Sequence, residues 1–208
     1  DVYFGALRQS GNFSGVVEQT PYGGTLIQMG LNAHDFCLEL KAGERFASPA
    51  ILCGYSDCGF ETMSHRLHRF ANDFILSEGF RPVLYNSWEA TEFGVTCEEQ
   101  KKLAKKAKEL GAELFVVDDG WFGERNGIDN GLGDWYVNEK KFPNGIDELI
   151  REVKSLGMMF GIWVEPEMVN PPTKLFAEHP DWIYHFDTRT SDTSRGQYVL
   201  DLTKAEVR

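Results

Sequence analysis

The sequence predicts an α/β fold, a stretch of β structure followed by an alternation of strands and helices. Three observations carry this. Short strand-like runs divided by glycine-rich turns fill the first 58 residues. From about residue 80 onward, continuous apolar runs alternate with segments of helical periodicity, as buried parallel strands alternate with their helices. The first three of those runs end in polar or aromatic residues: Asn86-Ser87-Trp88, Asp118-Asp119 and Trp163-Val164-Glu165. Parallel α/β folds place their ligands at such strand ends.

The β stretch holds runs at 3–7, 13–18, 25–30 and 35–40. A turn at Lys41-Ala42-Gly43-Glu44 then leads into an extended run at 46–55. So few strands predict only the C-terminal part of a β-sandwich domain, residues 1–58. Leu67, Phe70 and Phe74 recur at helical spacing within 61–76, giving a linker helix inside 59–80.

Residues 81–208 carry the alternation. A strand at 82–88 precedes a helix capped by Thr96, with Glu99 three residues later as a capping box. Leu103, Ala104, Ala107 and Leu110 form its apolar stripe, and Gly111 closes it. A strand at 113–119, a helix at 146–156 closed by Gly157, and a strand at 158–165 follow. A short helix is expected at about 172–178 and a fourth strand at 197–201, with Thr203 and Glu206 boxing the start of a further helix. A (β/α)8 barrel takes about 250 residues. Residues 81–208 are half of that, so they predict the first four strands of such a barrel. The chain opens at Asp1 without methionine and closes at Arg208 where a helix is expected, so both ends read as cuts in a longer protein.

A net charge of −11 argues against a nucleic-acid surface and against binding to anionic membranes, and suits a soluble cytoplasmic protein. No run approaches the length of a membrane span, and no basic-then-apolar leader is present. Cys37, Cys53, Cys58 and Cys97 lack zinc spacing and read as reduced thiols, most of them packed. The five histidines are scattered, so no metal site is expected. Neither G-x-G-x-x-G after the first strand nor a P-loop motif occurs, which removes the usual support for a nucleotide site.

Asp118 and Asp119 are the strongest candidates. Two carboxylates at the end of an apolar strand cannot both be buried without partners. They can accept bidentate hydrogen bonds from vicinal hydroxyls, while the adjacent Trp121 stacks on the apolar face of a sugar. A loop-start or helix-cap role is the alternative. Trp163 and Glu165 share a face by period two, and Trp88 ends the first strand in an equivalent place. For each tryptophan a core role is the competitor. Arg195, before the fourth run, can bind hydroxyls or orient a carboxylate, or be a solvated loop residue. Arg125, Asp129 and Asp134 are expected to order the long loop after the Asp pair through ion pairs.

Several motifs in order are familiar: Trp88-Glu89-Ala90-Thr91, Leu114 through Gly123 with the Asp pair inside it, Leu132-Gly133-Asp134-Trp135, Pro143-Asn144-Gly145, Gly161 through Val169, and His179-Pro180-Asp181-Trp182. In order and spacing they resemble the family 36 glycoside hydrolases, the microbial α-galactosidases, through nearly the whole chain. The resemblance implies an N-terminal β-sandwich, a (β/α)8 barrel and a C-terminal β domain, often as a homotetramer. It implies retaining hydrolysis of terminal α-galactosyl groups from oligosaccharides such as melibiose and raffinose, without metal or organic cofactor. By motif position Trp88, Asp118, Asp119, Trp163 and Arg195 resemble the substrate-binding residues. The family's two catalytic aspartates lie in later motifs that this sequence does not contain, so no catalytic residue is assigned here. The competing readings are a non-catalytic carbohydrate-binding module and a related glycosidase such as an α-N-acetylgalactosaminidase.

Overall fold

The computed structural model describes residues 1–208 apart from Asp35, Ser77, Glu78 and Phe80. It divides into two units, Asp1–Gly79 and Phe80–Arg208.

In the first unit β1 (Val2–Leu7) pairs antiparallel with β4 (Ile51–Ser56), and β2 (Phe13–Gln19) with β3 (Thr25–Leu31). The β2–β3 register runs from Phe13 opposite Leu31 to Gln19 opposite Thr25. The intervening turn closes with Thr20 N–H donating to the Gly24 carbonyl. Two-stranded ribbons bury little by themselves, and Phe13, Val16, Val17, Leu26 and Ile27 are exposed. The strand expected at 35–40 is not formed over 36–40, and Asp35 lies outside the described residues. A strand needs a neighbour to satisfy its backbone, and neither ribbon takes on a third strand among the described residues. Helix α1 (Gly59–Phe74) follows β4. The buried Ser56 hydroxyl accepts from Cys58 N–H and donates to the Gly59 carbonyl, tying strand end to helix start.

The second unit is built on a three-stranded parallel sheet in the order β5 (Leu84–Asn86), β6 (Leu114–Val117), β7 (Met159–Ile162). After β5 comes the short α2 (Trp88–Thr91), then α3 (Cys97–Glu109) and, after β6, α4 (Asp147–Ser155). As expected, Thr96 caps α3, its hydroxyl accepting from Glu99 N–H at 3.4 Å. The apolar faces of α3 and α4, with Ala104, Ala107, Leu149 and Val153, join Phe115 and Val117 of β6 in one core. Strand alternation in β6 sends Phe115 and Val117 to this fully buried side and leaves Leu114 and Val116 half-buried on the other. The sheet is thus covered by helices on one face within this chain, where the apolar runs had suggested burial on both.

The fourth barrel strand expected at 197–201 is not one. Tyr198–Val199 (β9) pairs antiparallel with Met168–Val169 (β8) in a separate two-stranded ribbon. Among the described residues the chain therefore supplies three parallel barrel-type strands. Between β8 and β9 run α5 (Lys174–Glu178) and a single 3-10 turn, Pro180–Trp182. The helix expected from Thr203 is not formed over 202–207, which are turns, and the Thr203 N–H and hydroxyl both donate to Asp201 Oδ1, at 3.0 and 2.6 Å.

Gly120, next to the Asp pair, has φ +104°, and a Cβ there would lie 2.9 Å from the Phe93 backbone. Gly120→Ala is expected to cost about 1–3 kcal/mol through backbone strain and this clash. Urea denaturation measures it, and an unchanged midpoint would refute the close approach.

Candidate functional site

The C-terminal ends of β5, β6 and β7 lie side by side because the strands are parallel and in register, Leu84 opposite Leu114 and Leu114 opposite Met159. Above them is a cavity of about 750 Å³, the size of a small-molecule site. All five residues singled out in the sequence, Trp88, Asp118, Asp119, Trp163 and Arg195, line it, together with Asn86, Phe93, Arg125 and Glu165.

Asp118 is half-buried and its carboxylate is held from two directions. Oδ1 accepts from Asp119 N–H at 2.7 Å, and Oδ2 from the Asn86 amide. Its own N–H donates to the buried Ser87 hydroxyl at 3.0 Å. Each carboxylate oxygen keeps acceptor capacity for a ligand hydroxyl.

Asp119 is more deeply set than Asp118 and has the partner that its burial requires. It is 5% exposed and forms an ion pair with Arg125, itself 1% exposed. Arg125 Nε lies 2.9 and 3.1 Å from the two oxygens, and Nη2 2.8 Å from Oδ2. The remaining guanidinium nitrogen, Nη1, donates to the carbonyls of Ile128 and Asn130 and to Asn170 Oδ1. Asp119 is thus a wall residue of the cavity and half of a buried charge pair.

The loop that carries Arg125 is pinned by Lys141. Its ammonium donates to the carbonyls of Phe93, Gly120 and Arg125 at 2.9, 2.7 and 2.8 Å, using all three protons. Burial pushes its pKa down, while the nearby Asp119 and Glu124 charges oppose that. The expected ion pairs of Asp129 and Asp134 are not how the loop is ordered. Asp134 instead accepts from the N–H groups of Lys174 and Leu175 at the start of α5.

Among the aromatics, Trp88 packs edge-on against Phe93, with ring centroids 5.1 Å apart. Trp163 backs onto Phe122 and Trp135, each 6.3 Å away. Trp121, expected to stack on a sugar, belongs to the core: it is 7% exposed and donates from Nε1 to the Trp163 carbonyl at 2.9 Å. It sets the strand end of its neighbour and does not face the ligand space.

Arg195 occupies a two-residue hairpin in which Ser194 and Gln197 exchange both backbone bonds at 3.0 Å. Arg195 and Gly196 have φ of 55° and 71°. Positive φ at both central positions is the tight-hairpin geometry, which costs a non-glycine residue energy. Arg195 Nη2 lies 3.4 Å from Glu165 Oε2. Burial pushes the Glu165 carboxyl up, with Arg195 opposing and Glu167 adding to the rise. The folded state therefore holds this proton more tightly than the unfolded chain. The stability due to Glu165 is present at low pH and declines as pH rises between the ordinary and the raised value. Glu165→Gln should remove that decline. Relative to the parent, its melting temperature should be higher at pH 8 than at pH 4, because the exposed Arg195 loses little with its partner. Equal differences at both pH values would contradict this.

Sequence reasoning overlooked Lys141 and Asn170 and noted Asn86 only as a strand end, not as a site residue. Asn86 alone had a signal, as the last polar residue of an apolar strand. Of metal-type clusters, Cys97, Glu98 and Glu148 lie within 4.8 Å of one another on α3 and α4. The Lys101 ammonium already pairs with both carboxylates there. The cysteines are free, and only Cys97 is buried, while Cys37, Cys53 and Cys58, expected to be packed, are exposed. Among the described residues no helix is long and apolar enough to cross a membrane.

Comparison with known proteins places this arrangement. The family described as Melibiase matches residues 45–208. The chain is 43% identical to the α-galactosidase AgaA of Geobacillus stearothermophilus over 211 residues, covering all of this chain and 29% of that protein. It is 42% identical to the α-galactosidase Mel36A of Lactobacillus acidophilus over 212 residues, with the same coverage. The crystal structure of the GH36 enzyme AgaA superposes with a TM-score of 0.92 over 99% of this chain. Variants of AgaA have been solved with stachyose and with raffinose. The chain spans about 29% of the length of these relatives. The match over residues 45–208, the identity along the whole chain and the superposition agree, and the chain belongs to the melibiase family, with GH36 α-galactosidases among its relatives.

Proposed function

We propose that this chain forms the galactosyl-binding half of the active site of a retaining α-galactosidase. The observation that carries it is the single rim on which two adjacent carboxylates, two tryptophans and an arginine meet. A pyranose has hydroxyls around its edge and apolar C–H faces. Carboxylates take up the hydroxyl edge through charge-assisted bonds, and indole rings of Trp88 and Trp163 wall the faces. Raffinose and stachyose, present in the AgaA complexes, both fit this class of ligand.

Retaining hydrolysis needs two carboxyl groups about 5–5.5 Å apart across the scissile bond, one as nucleophile and one as acid and base. Asp119 cannot serve as nucleophile while Arg125 engages both its oxygens. Asp118 and Asp119 are read as binding groups, and the reacting pair as supplied by barrel strands outside this chain. Residues 1–208 expressed alone should accordingly leave p-nitrophenyl α-galactoside intact, whereas the enzyme that contains them should hydrolyse it. Turnover by the isolated chain near the rate of the enzyme would overturn the assignment. We further read the enzyme as a cytoplasmic homotetramer. The exposed free thiols of Cys37, Cys53 and Cys58 support a reducing compartment, and the tetramer rests on family resemblance.

A further inference from the structure

We propose that Asn170 is a positioning residue that ties the Asp119–Arg125 pair to the Arg195 turn, so that these two parts of the cavity lining keep one geometry. The inference rests on the galactosyl-site reading above.

Asn170 is fully buried, just past the end of β8. Its Oδ1 accepts from Arg125 Nη1 at 3.0 Å and from Leu132 N–H at 2.9 Å. Its Nδ2 donates to the Gly196 carbonyl at 2.9 Å and to that of Ile128 at 3.3 Å. The Ile128 carbonyl also accepts from Arg125 Nη1 at 3.0 Å and from the Gln197 amide at 3.3 Å. The backbone of Asn170 is equally committed, its N–H to the Leu132 carbonyl and its carbonyl to the Thr173 hydroxyl.

An amide offers two acceptor sites and two donors, and all four are used here. A carboxylate has no donor and an aliphatic side chain has neither. The donors matter most, because the turn they hold is strained. With positive φ at Arg195, the hairpin persists only if its surroundings hold it. The β8–β9 register, Val169 opposite Tyr198, carries the chain to the foot of this turn. The Asn170 amide then grips the Gly196 carbonyl, one residue from Arg195. The same side chain grips Arg125, which fixes the Asp119 carboxylate. One buried amide therefore links the turn that carries Arg195 to the Arg125 guanidinium that holds Asp119.

The test is a double-mutant cycle in the enzyme that contains this chain, with p-nitrophenyl α-galactoside as substrate. Asn170→Asp keeps acceptors for Arg125 and Leu132 but removes the donors to Gly196 and Ile128. It should lower kcat/KM by about 10-fold or more when Arg195 is present, mostly through KM, and by less than about 2-fold in an Arg195→Ala background. Asn170→Ser, smaller and uncharged, is the second variant, read in the same cycle on the folded fraction defined by circular dichroism. Equal losses with and without Arg195 would show a merely structural role and overturn the proposal. If Asp118→Ala leaves kcat/KM unchanged, the galactosyl-site reading itself fails, and with it this inference. That result is distinct from equal losses in a cycle where Asp118→Ala is damaging.

Discussion

Asp119→Ala is expected to destabilise the second unit by about 3–5 kcal/mol, the cost of leaving one member of a buried ion pair without its partner. The magnitude follows from burial. Arg125 is 1% exposed, and its other acceptors, the carbonyls of Ile128 and Asn130 and Asn170 Oδ1, cannot replace the charge of Asp119. Total stabilities of about 5–15 kcal/mol make this a large fraction. The sequence alone offers Asp119 as a carboxylate for sugar hydroxyls and does not show this partner. Chemical denaturation of the single variant checks the size. The double variant Asp119→Ala with Arg125→Met checks the cause, since Arg125→Met should cost less in the Asp119→Ala background than in the parent, where it strands the Asp119 charge. A single variant within about 1 kcal/mol of the parent, or losses that simply add in the double variant, would contradict the ion-pair account.

Asp118→Ala should show the complementary behaviour. Asp118 is half-buried, and its partners Asn86 and the Asp119 N–H lie at the cavity edge. The fold should lose about 1 kcal/mol or less. A charge-assisted bond to a sugar hydroxyl contributes about 1.5–3 kcal/mol. At 1.36 kcal/mol per tenfold, kcat/KM for an α-galactoside should fall about 10- to 100-fold. Melting temperature and kcat/KM measured on one preparation separate the two aspartates. A destabilised Asp118→Ala with near-normal kinetics would reverse the roles assigned here.

These two residues also show what a sequence can reveal. That Asp118 and Asp119 close a parallel strand is legible, because an apolar run of the right length stops at charges. That Trp88 and Trp163 share their rim is legible for the same reason. The cap of α3 can be read from Thr96, whose hydroxyl accepts from Glu99 N–H. The partner of Asp119 cannot be read, because Arg125 reaches it through a loop with no periodicity. Nor can Asn170, whose role comes from contacts 26 to 45 positions away. Tyr198–Val199 looked like a barrel strand because an apolar run carries no mark of its partner. Two residues pairing with Met168–Val169 satisfy the same pattern. Thr203 and Glu206 have capping-box spacing, yet residues 202–207 form turns, with Thr203 bonded to Asp201.

The central claim is that the rim above β5, β6 and β7 holds a galactosyl group. The most direct measurement is a crystal structure of the enzyme that contains this chain, soaked with raffinose. The account predicts the terminal galactose in the cavity, with hydroxyls within about 3 Å of Asp118 and Asp119 and its ring between Trp88 and Trp163. A galactose bound elsewhere, with both carboxylates untouched and the Asp119–Arg125 pair facing only water, would contradict it.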